Sequence, residues 1–132
     1  MNIIADTNIF LAVVLNGPAK AGIVKATAGV SIVAPEILPY EIGNALSAMV
    51  KRRALQITNA LAAEKATKRI AARLIPVNIS AALQIALDHD IYAYDAYFLQ
   101  CAQRLNIPLL TLDKRMKQVA QTCGIPTIEI EP

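Results

Sequence analysis

The sequence predicts an α/β fold, a three-layer α/β/α sandwich around a mostly parallel central sheet. Three observations lead there. Short apolar runs alternate with segments of helical period along the whole chain, the pattern of repeated strand–helix crossovers. The runs are apolar throughout rather than alternating, as expected of strands covered on both faces. The composition is 55% hydrophobic, enough for such a doubly covered sheet.

The elements follow in order. Residues 2–5 form an apolar run that stops at Asp6, a buried strand. Thr7 and Asn8 open a turn or helix start, since both side chains can cap free backbone N–H groups. Asn16-Gly17-Pro18 breaks the chain, and a short helix follows to about Ala28. Val30 to Ala34 is a second strand, closed by Pro35. From Glu36 to about Arg53 the pattern is helical, with Leu38, Ile42, Ala45, Leu46 and Met49 on one apolar face. Pro39 is compatible with that helix only in its first turn. Thr58 is the expected cap of the next helix, which runs to about Arg73. Leu74 to Val77 is a brief strand, and Ser80 is the expected cap of a helix to about Leu87. Asp88 to Tyr94 reads as a loop. Asp95 stands at the start of a helix to about Leu105. Pro108 to Leu112 is a strand ending at Asp113, followed by a helix to Cys123 that Gly124 stops. Thr127 to Ile130 is the last expected strand.

A length of 132 residues accommodates one core, so residues 1–132 are read as a single domain. No uncharged run reaches the roughly 18 residues of a membrane span. The first residues carry Asp6 and no basic lead-in, which argues against a signal peptide and for a cytoplasmic location with no membrane partner. Cys101 and Cys123 lie inside helical patterns, away from each other and from the one histidine. They read as small core residues in a reducing compartment. The net charge of +3 is uneven. Lys51, Arg52, Arg53, Lys65, Lys68, Arg69 and Arg73 face only Glu64 within their stretch, and Lys114, Arg115 and Lys117 follow Asp113. A basic rim of this kind suits a polyanionic substrate. A solvated helix face is the plainer explanation for the helically spaced Lys65, Lys68, Arg69 and Arg73.

The acidic residues carry the chemistry. The chain has ten Asp and Glu in all. Four of them, Asp6, Glu41, Asp95 and Asp113, stand at strand ends or near helix starts in widely separated segments. In a parallel sheet, sites form beyond the C-terminal ends of the strands, which is where Asp6 and Asp113 belong. Asp95 opens a helix, where the dipole favours negative charge. Glu41 lies within a helix with no Lys four residues on, and shares a face with Asn44. Each acid alone has a simple explanation as a cap, a strand end or a surface residue. If the four meet in space they form a cluster that cannot stay fully ionised unless a cation neutralises it, and a divalent metal held by carboxylates points to phosphate chemistry. Thr111, two residues before Asp113, and Thr7-Asn8 after Asp6 suit polar supports that fix carboxylate orientation.

Asp6-Thr7-Asn8, Glu41 with Asn44, Tyr94-Asp95-Ala96 and Thr111-Leu112-Asp113 together resemble the PIN domain, most of all the small VapC-type toxins of toxin–antitoxin pairs. The resemblance spans the chain, in order and in register. It implies a metal-dependent ribonuclease, with Asp6, Glu41, Asp95 and Asp113 as catalytic, metal-holding acids. Thr7, Asn8, Asn44 and Thr111 would then be supporting polar groups. It also implies Mg2+ or Mn2+ as cofactor, a homodimer, and a cognate antitoxin that places a peptide in the groove. Lys51, Arg52, Arg53, Lys114 and Arg115 are the RNA-binding candidates. A non-catalytic PIN scaffold binding RNA or protein, or a PIN nuclease without an antitoxin, is the alternative.

Other arrangements fit less well. A receiver domain needs paired acids after the first strand and a late-strand Lys. A haloacid-dehalogenase-like phosphatase needs an Asp where this chain has Asn8. A dinucleotide-binding fold needs a Gly-rich first turn, absent here. His89, between Asp88 and Asp90, reads as a surface residue rather than a general base. Tyr92, Tyr94, Tyr97 and Phe98 could stack on unpaired bases, although packing at a helix start or a dimer face is the stronger expectation.

Overall fold

A computed structural model describes residues 1–132. Seven helices surround one four-stranded sheet. Strand β1 (Asn2–Ala5) leads into α1 (Thr7–Val14) and α2 (Lys20–Ala26). Strand β2 (Ser31–Pro35) is followed by α3 (Leu38–Lys51) and α4 (Ile57–Thr67). Strand β3 (Ala72–Ile75) precedes α5 (Ile79–His89) and α6 (Ala93–Leu105), and β4 (Leu109–Leu110) precedes α7 (Lys114–Thr122).

The strand order is β3-β2-β1-β4 and every pairing is parallel. The chain builds outward from β1 through β2 to β3, then returns to place β4 on the other side of β1. The switch point therefore lies between β1 and β4, where α/β sheets open a crevice at their carboxyl ends. Central β1 explains its own composition. Ile3, Ile4 and Ala5 are buried, and α6 packs against β1, β2 and β4 while α1, α3 and α4 pack on one another. Phe98 and Leu99 on α6 and Met116 on α7 join them in one core of 27 buried residues.

Several element limits differ from the sequence expectation, each for a local reason. Helix α4 ends at Thr67 rather than near Arg73, and Arg73 lies exposed on the edge strand β3. The basic residues there keep helical spacing, but Ile70 packs against the core and Ala72 pairs with Ile32. Gln56, not Thr58, is the N-cap of α4, and Asn78, not Ser80, caps α5 by accepting from the Ala81 N–H. Helix α5 extends to His89, which Asp90 terminates in the left-handed region. The last expected strand contracts to a single parallel bridge between Thr127 and Leu109. Pro39 does lie in the first turn of α3. No helix is long and apolar enough to cross a membrane.

Candidate functional site

Asp6 is the hub. It leaves β1 with its backbone N–H bonded to the Leu110 carbonyl of β4, and then caps α1. Its Oδ1 accepts from the Thr7 N–H at 2.7 Å. Its Oδ2 accepts from the Thr111 hydroxyl at 2.8 Å and from Asn8 Nδ2 at 3.3 Å. The cap is thus Asp6 itself, whereas the expectation gave that role to Thr7 and Asn8. Thr7 turns its hydroxyl to Glu41 Oε2, 2.7 Å away on α3. Asn8 ties the two strand ends together: its Oδ1 accepts from the Leu112 N–H, and its Nδ2 also donates to Thr111 Oγ1.

Thr111 is wholly buried and works in two directions. Its hydroxyl donates to Asp6 and accepts from the Asp113 N–H at 3.0 Å. Asp113 in turn caps α7, its Oδ1 accepting from the N–H groups of Arg115 and Met116. Asp95 lies in the first turn of α6, capped by Tyr92, where the helix dipole stabilises its charge.

Electrostatics link the four acids. Burial pushes the Asp6 carboxyl up from 3.8 to about 6, against the Thr111 and Thr7 hydrogen bonds, with the charges of Asp95 and Glu41 adding to the rise. Burial also raises Glu41, opposed by the Thr7 hydroxyl and reinforced by Asp95. Asp95 is raised by burial and then by Asp113, and no hydrogen bond relieves it. The acids therefore feel one another in a chain, Glu41 to Asp6 to Asp95 to Asp113. No lysine or arginine offsets Asp6, Glu41 or Asp95, and none of the three ion pairs in the molecule involves any of the four acids.

The donor set is all oxygen, which suits Mg2+ or Mn2+ and disfavours soft metals. No three His, Cys, Asp or Glu side chains come close enough to share one ion directly. That spacing is compatible only with an ion that keeps several waters and takes one or two carboxylates directly.

The remaining predicted residues separate into near and far. Asn44 lies beside Glu41 in a cavity of about 340 Å³ and bonds to none of the acids. Lys114 and Arg115 begin α7 directly after Asp113, with Arg115 anchored through its guanidinium to the His89 carbonyl. Lys51, Arg52 and Arg53 stand at the opposite end of α3 from Glu41, roughly 15 Å along the helix. Cys101 is buried in the core, which pushes its thiol up to about 11. Cys123 is half-buried and its sulfur lies 3.5 Å from His89 Nε2, so His89 packs rather than standing free at the surface. Phe98 is core and Tyr97 half-buried, while Tyr92 and Tyr94 are exposed. Tyr94 was expected to stack on unpaired bases or, more strongly, to pack at a helix start or dimer face, and Tyr40 was not singled out although, like Tyr94, it immediately precedes one of the acids.

Comparison with known proteins agrees with this architecture. The chain superposes on PAE2754 from Pyrobaculum aerophilum with a TM-score of 0.69 at 19% identity, over 96% of this chain and 89% of that one. VapBC2 from Rickettsia felis, bound to a DNA fragment from their promoter, gives a TM-score of 0.70 at 12% identity over 99% and 100%. VapBC-1 from nontypeable Haemophilus influenzae gives 0.65 at 19% identity over 98% of each chain. No curated protein sequence matches significantly. These likenesses establish a shared fold. The sequence profile of the PIN domain matches residues 3–121, which takes in all four acids and both bridging threonines, and the chain belongs to the PIN-domain family.

Proposed function

We propose that this PIN domain is a Mg2+- or Mn2+-dependent ribonuclease and the toxin of a type II toxin–antitoxin pair. One observation supports the nuclease reading: Asp6, Glu41 and Asp95, from three separate segments, are raised by burial and by neighbouring acids, Asp113 adding to Asp95, and no cationic side chain offsets these three. An uncompensated acidic cluster is costly unless a cation completes it. The VapBC likenesses, together with the small size of the chain, support the toxin role.

The substrate is an RNA phosphodiester and the reaction is hydrolysis. A water oxygen bonds to phosphorus, and the ester oxygen leaves carrying a proton. A divalent ion bound here supplies an acidified water and offsets charge on the non-bridging oxygens. Asp6, fixed by Thr7, Asn8 and Thr111, provides a carboxylate that cannot rotate. Asp95 offers oxygens that no hydrogen bond occupies. Thr7 holds Glu41 by Oε2, leaving Oε1 to orient the attacking water and take its proton. Lys114, at the edge beside Asp113, is placed to neutralise a flanking phosphate. The partners proposed are a second copy of the chain and a cognate antitoxin.

The test uses end-labelled single-stranded RNA with purified protein in Mg2+, Mn2+ or EDTA. Cleavage is expected with either ion and not in EDTA. Asp95→Asn is expected to abolish it while leaving the thermal melt unchanged. Cleavage that persists in EDTA, or in Asp95→Asn, would sink this assignment. Binding of RNA without turnover at any level of either ion would favour a non-catalytic scaffold. A small upstream reading frame for a DNA-binding protein would support the antitoxin, which is a separate question from catalysis.

A further inference from the structure

Tyr40 and Tyr94 come from different helices, and each sits one residue before an acid of the cluster. Both are conspicuously solvent-exposed for aromatic residues, at 75% and 56%. They line the same cavity of about 340 Å³, whose floor includes Thr7, Glu41 and Asn44 and whose side is closed by Ile37. That size lies at the small end of ligand pockets. The same two tyrosines also line a second, more apolar cavity of about 540 Å³ that reaches toward Val77 and Ile79. They therefore stand as a divider, with the acidic cluster on one side and an apolar recess on the other. Tyr97 braces Tyr94 edge to face, with centroids 5.8 Å apart and planes at 83°, which fixes one ring while its exposed side stays open.

Flat exposed rings beside polar groups at the edge of a phosphate-handling site match the requirements of an unpaired base. Its faces stack on aromatic rings, and its edge needs both a donor and an acceptor. The Asn44 amide offers one of each, and no group within the fold occupies it; only its backbone carbonyl is engaged, by Ser47. An apolar peptide side chain would fit the 540 Å³ recess but would leave the Asn44 amide unanswered in the smaller cavity.

We propose that the cavity between Tyr40, Tyr94 and Asn44 receives the unpaired base of a nucleotide flanking the scissile phosphate, so that the substrate is single-stranded RNA with one base drawn out of its stack. Tyr40 and Tyr94 supply the stacking surface and Asn44 reads the base edge. This rests on the ribonuclease reading given above, and the test separates the two. The expected loss on removing one stacking ring, or the base itself, is on the order of 5- to 150-fold in kcat/KM.

Two measurements decide it. In the first, a single-stranded oligoribonucleotide carries an abasic site moved one position at a time across the cleavage point. Wild-type cleavage should fall sharply at one position flanking that point. Tyr40→Ala should lose a similar factor on the intact RNA and little more on that abasic RNA, while Tyr40→Phe should recover most of the activity. In the second, 2-aminopurine at each position reports stacking by fluorescence quenching, with Ca2+ present so that binding proceeds without turnover. Quenching should occur at the same position and disappear in Tyr40→Ala and in Tyr94→Ala. Wild-type cleavage that is indifferent to the abasic site, or equal on duplex RNA, would overturn the base site and leave the ribonuclease standing. If wild-type protein cleaves nothing, the ribonuclease reading fails, and the quenching alone decides the base site. Quenching that survives both tyrosine variants overturns it and leaves the exposed rings to a protein partner.

Discussion

Asp6→Asn should make the metal-free protein more stable and catalytically dead. Asp6 is only 6% exposed, so its charge is poorly solvated. The rise of its carboxyl from 3.8 to about 6 corresponds, at about 1.4 kcal/mol for each pKa unit, to about 3 kcal/mol held against the folded state once Asp6 ionises. The sign follows from proton binding. Between pH 3.8 and 6 the folded protein holds this proton more tightly than the unfolded chain, so stability falls as pH rises through that window. Below it both states are protonated and the penalty is absent; above it the penalty is complete. The substitution removes the charge and keeps the shape. The amide oxygen can still accept from the Thr7 N–H, but the new amide nitrogen replaces Oδ2, which accepts from both the Thr111 hydroxyl and Asn8 Nδ2, so two hydrogen bonds are lost at about 1 kcal/mol each. The net gain is roughly 1 kcal/mol at neutral pH, by the same arithmetic.

Urea unfolding in EDTA at a series of pH values measures this directly. The difference between variant and wild type should be negative at pH 4, cross zero above pH 5, and reach its positive plateau above pH 6. Comparing the pair removes the titrations they share. Adding Mg2+ at about 100 times its dissociation constant should stabilise wild type by about 2.7 kcal/mol and the variant by much less. A variant that is less stable than wild type at pH 7.5 in EDTA, or a difference that does not change with pH, would refute the claim that Asp6 is strained by burial and by its acidic neighbours.

Further expectations concern the supports and the rim. Thr7→Val removes the only hydrogen bond to Glu41 and should lower kcat about 10- to 100-fold, while Thr7→Ser, which keeps the hydroxyl, should stay within a few-fold; equal activity in all three would show that Glu41 needs no positioning. Thr111→Val should lower activity by a similar factor and also reduce Mg2+ affinity in calorimetry, because one hydroxyl orients Asp6 and receives the Asp113 N–H. Lys114→Ala should reduce the slope of log affinity against log salt for single-stranded RNA by about 0.7, and Arg52→Ala, roughly 15 Å along α3 from Glu41, should leave it almost unchanged. The reverse ranking would move the RNA path to the far end of α3.

Strand ends were the most legible part of the sequence. A strand covered on both faces favours apolar residues, so the run Ile3-Ile4-Ala5 ends at the polar Asp6 as expected, whereas the strand expected from Pro108 to Leu112 stops at Leu110, before the buried Thr111. Asp6 was thus legible at the sheet edge, while Asp113 lies three residues beyond β4 as the cap of α7. Helix limits were less legible where the competing signals were local. Asn78 and Ser80 can both cap α5, and only the fold decides that Asn78 does. The stretch from Glu64 to Arg73 keeps a helical charge pattern past Thr67, but pairing of Ala72 with Ile32 takes the chain into the sheet. The basic residues at 51–53 could not be placed by pattern at all, because α3 carries Glu41 at one end and these at the other.

Glu41 is where sequence and structure inform each other most. In the sequence it is the one acid without a cap, a strand end or a basic neighbour to explain it. In the fold its explanation is Thr7, 34 residues away in the chain. Thr7 donates its N–H to Asp6 and its hydroxyl to Glu41; Thr111 donates its hydroxyl to Asp6 and receives the N–H of Asp113. Thr7 therefore couples the carboxylates of Asp6 and Glu41, and Thr111 couples the Asp6 carboxylate to the Asp113 backbone, so three of the four acids share one hydrogen-bonded frame. Asp95 alone is outside it, presented by the first turn of α6 and free of hydrogen bonds. If an ion binds as proposed, Asp95 would be the acid free to change its ligation and Asp6 the one held in place by its hydrogen bonds.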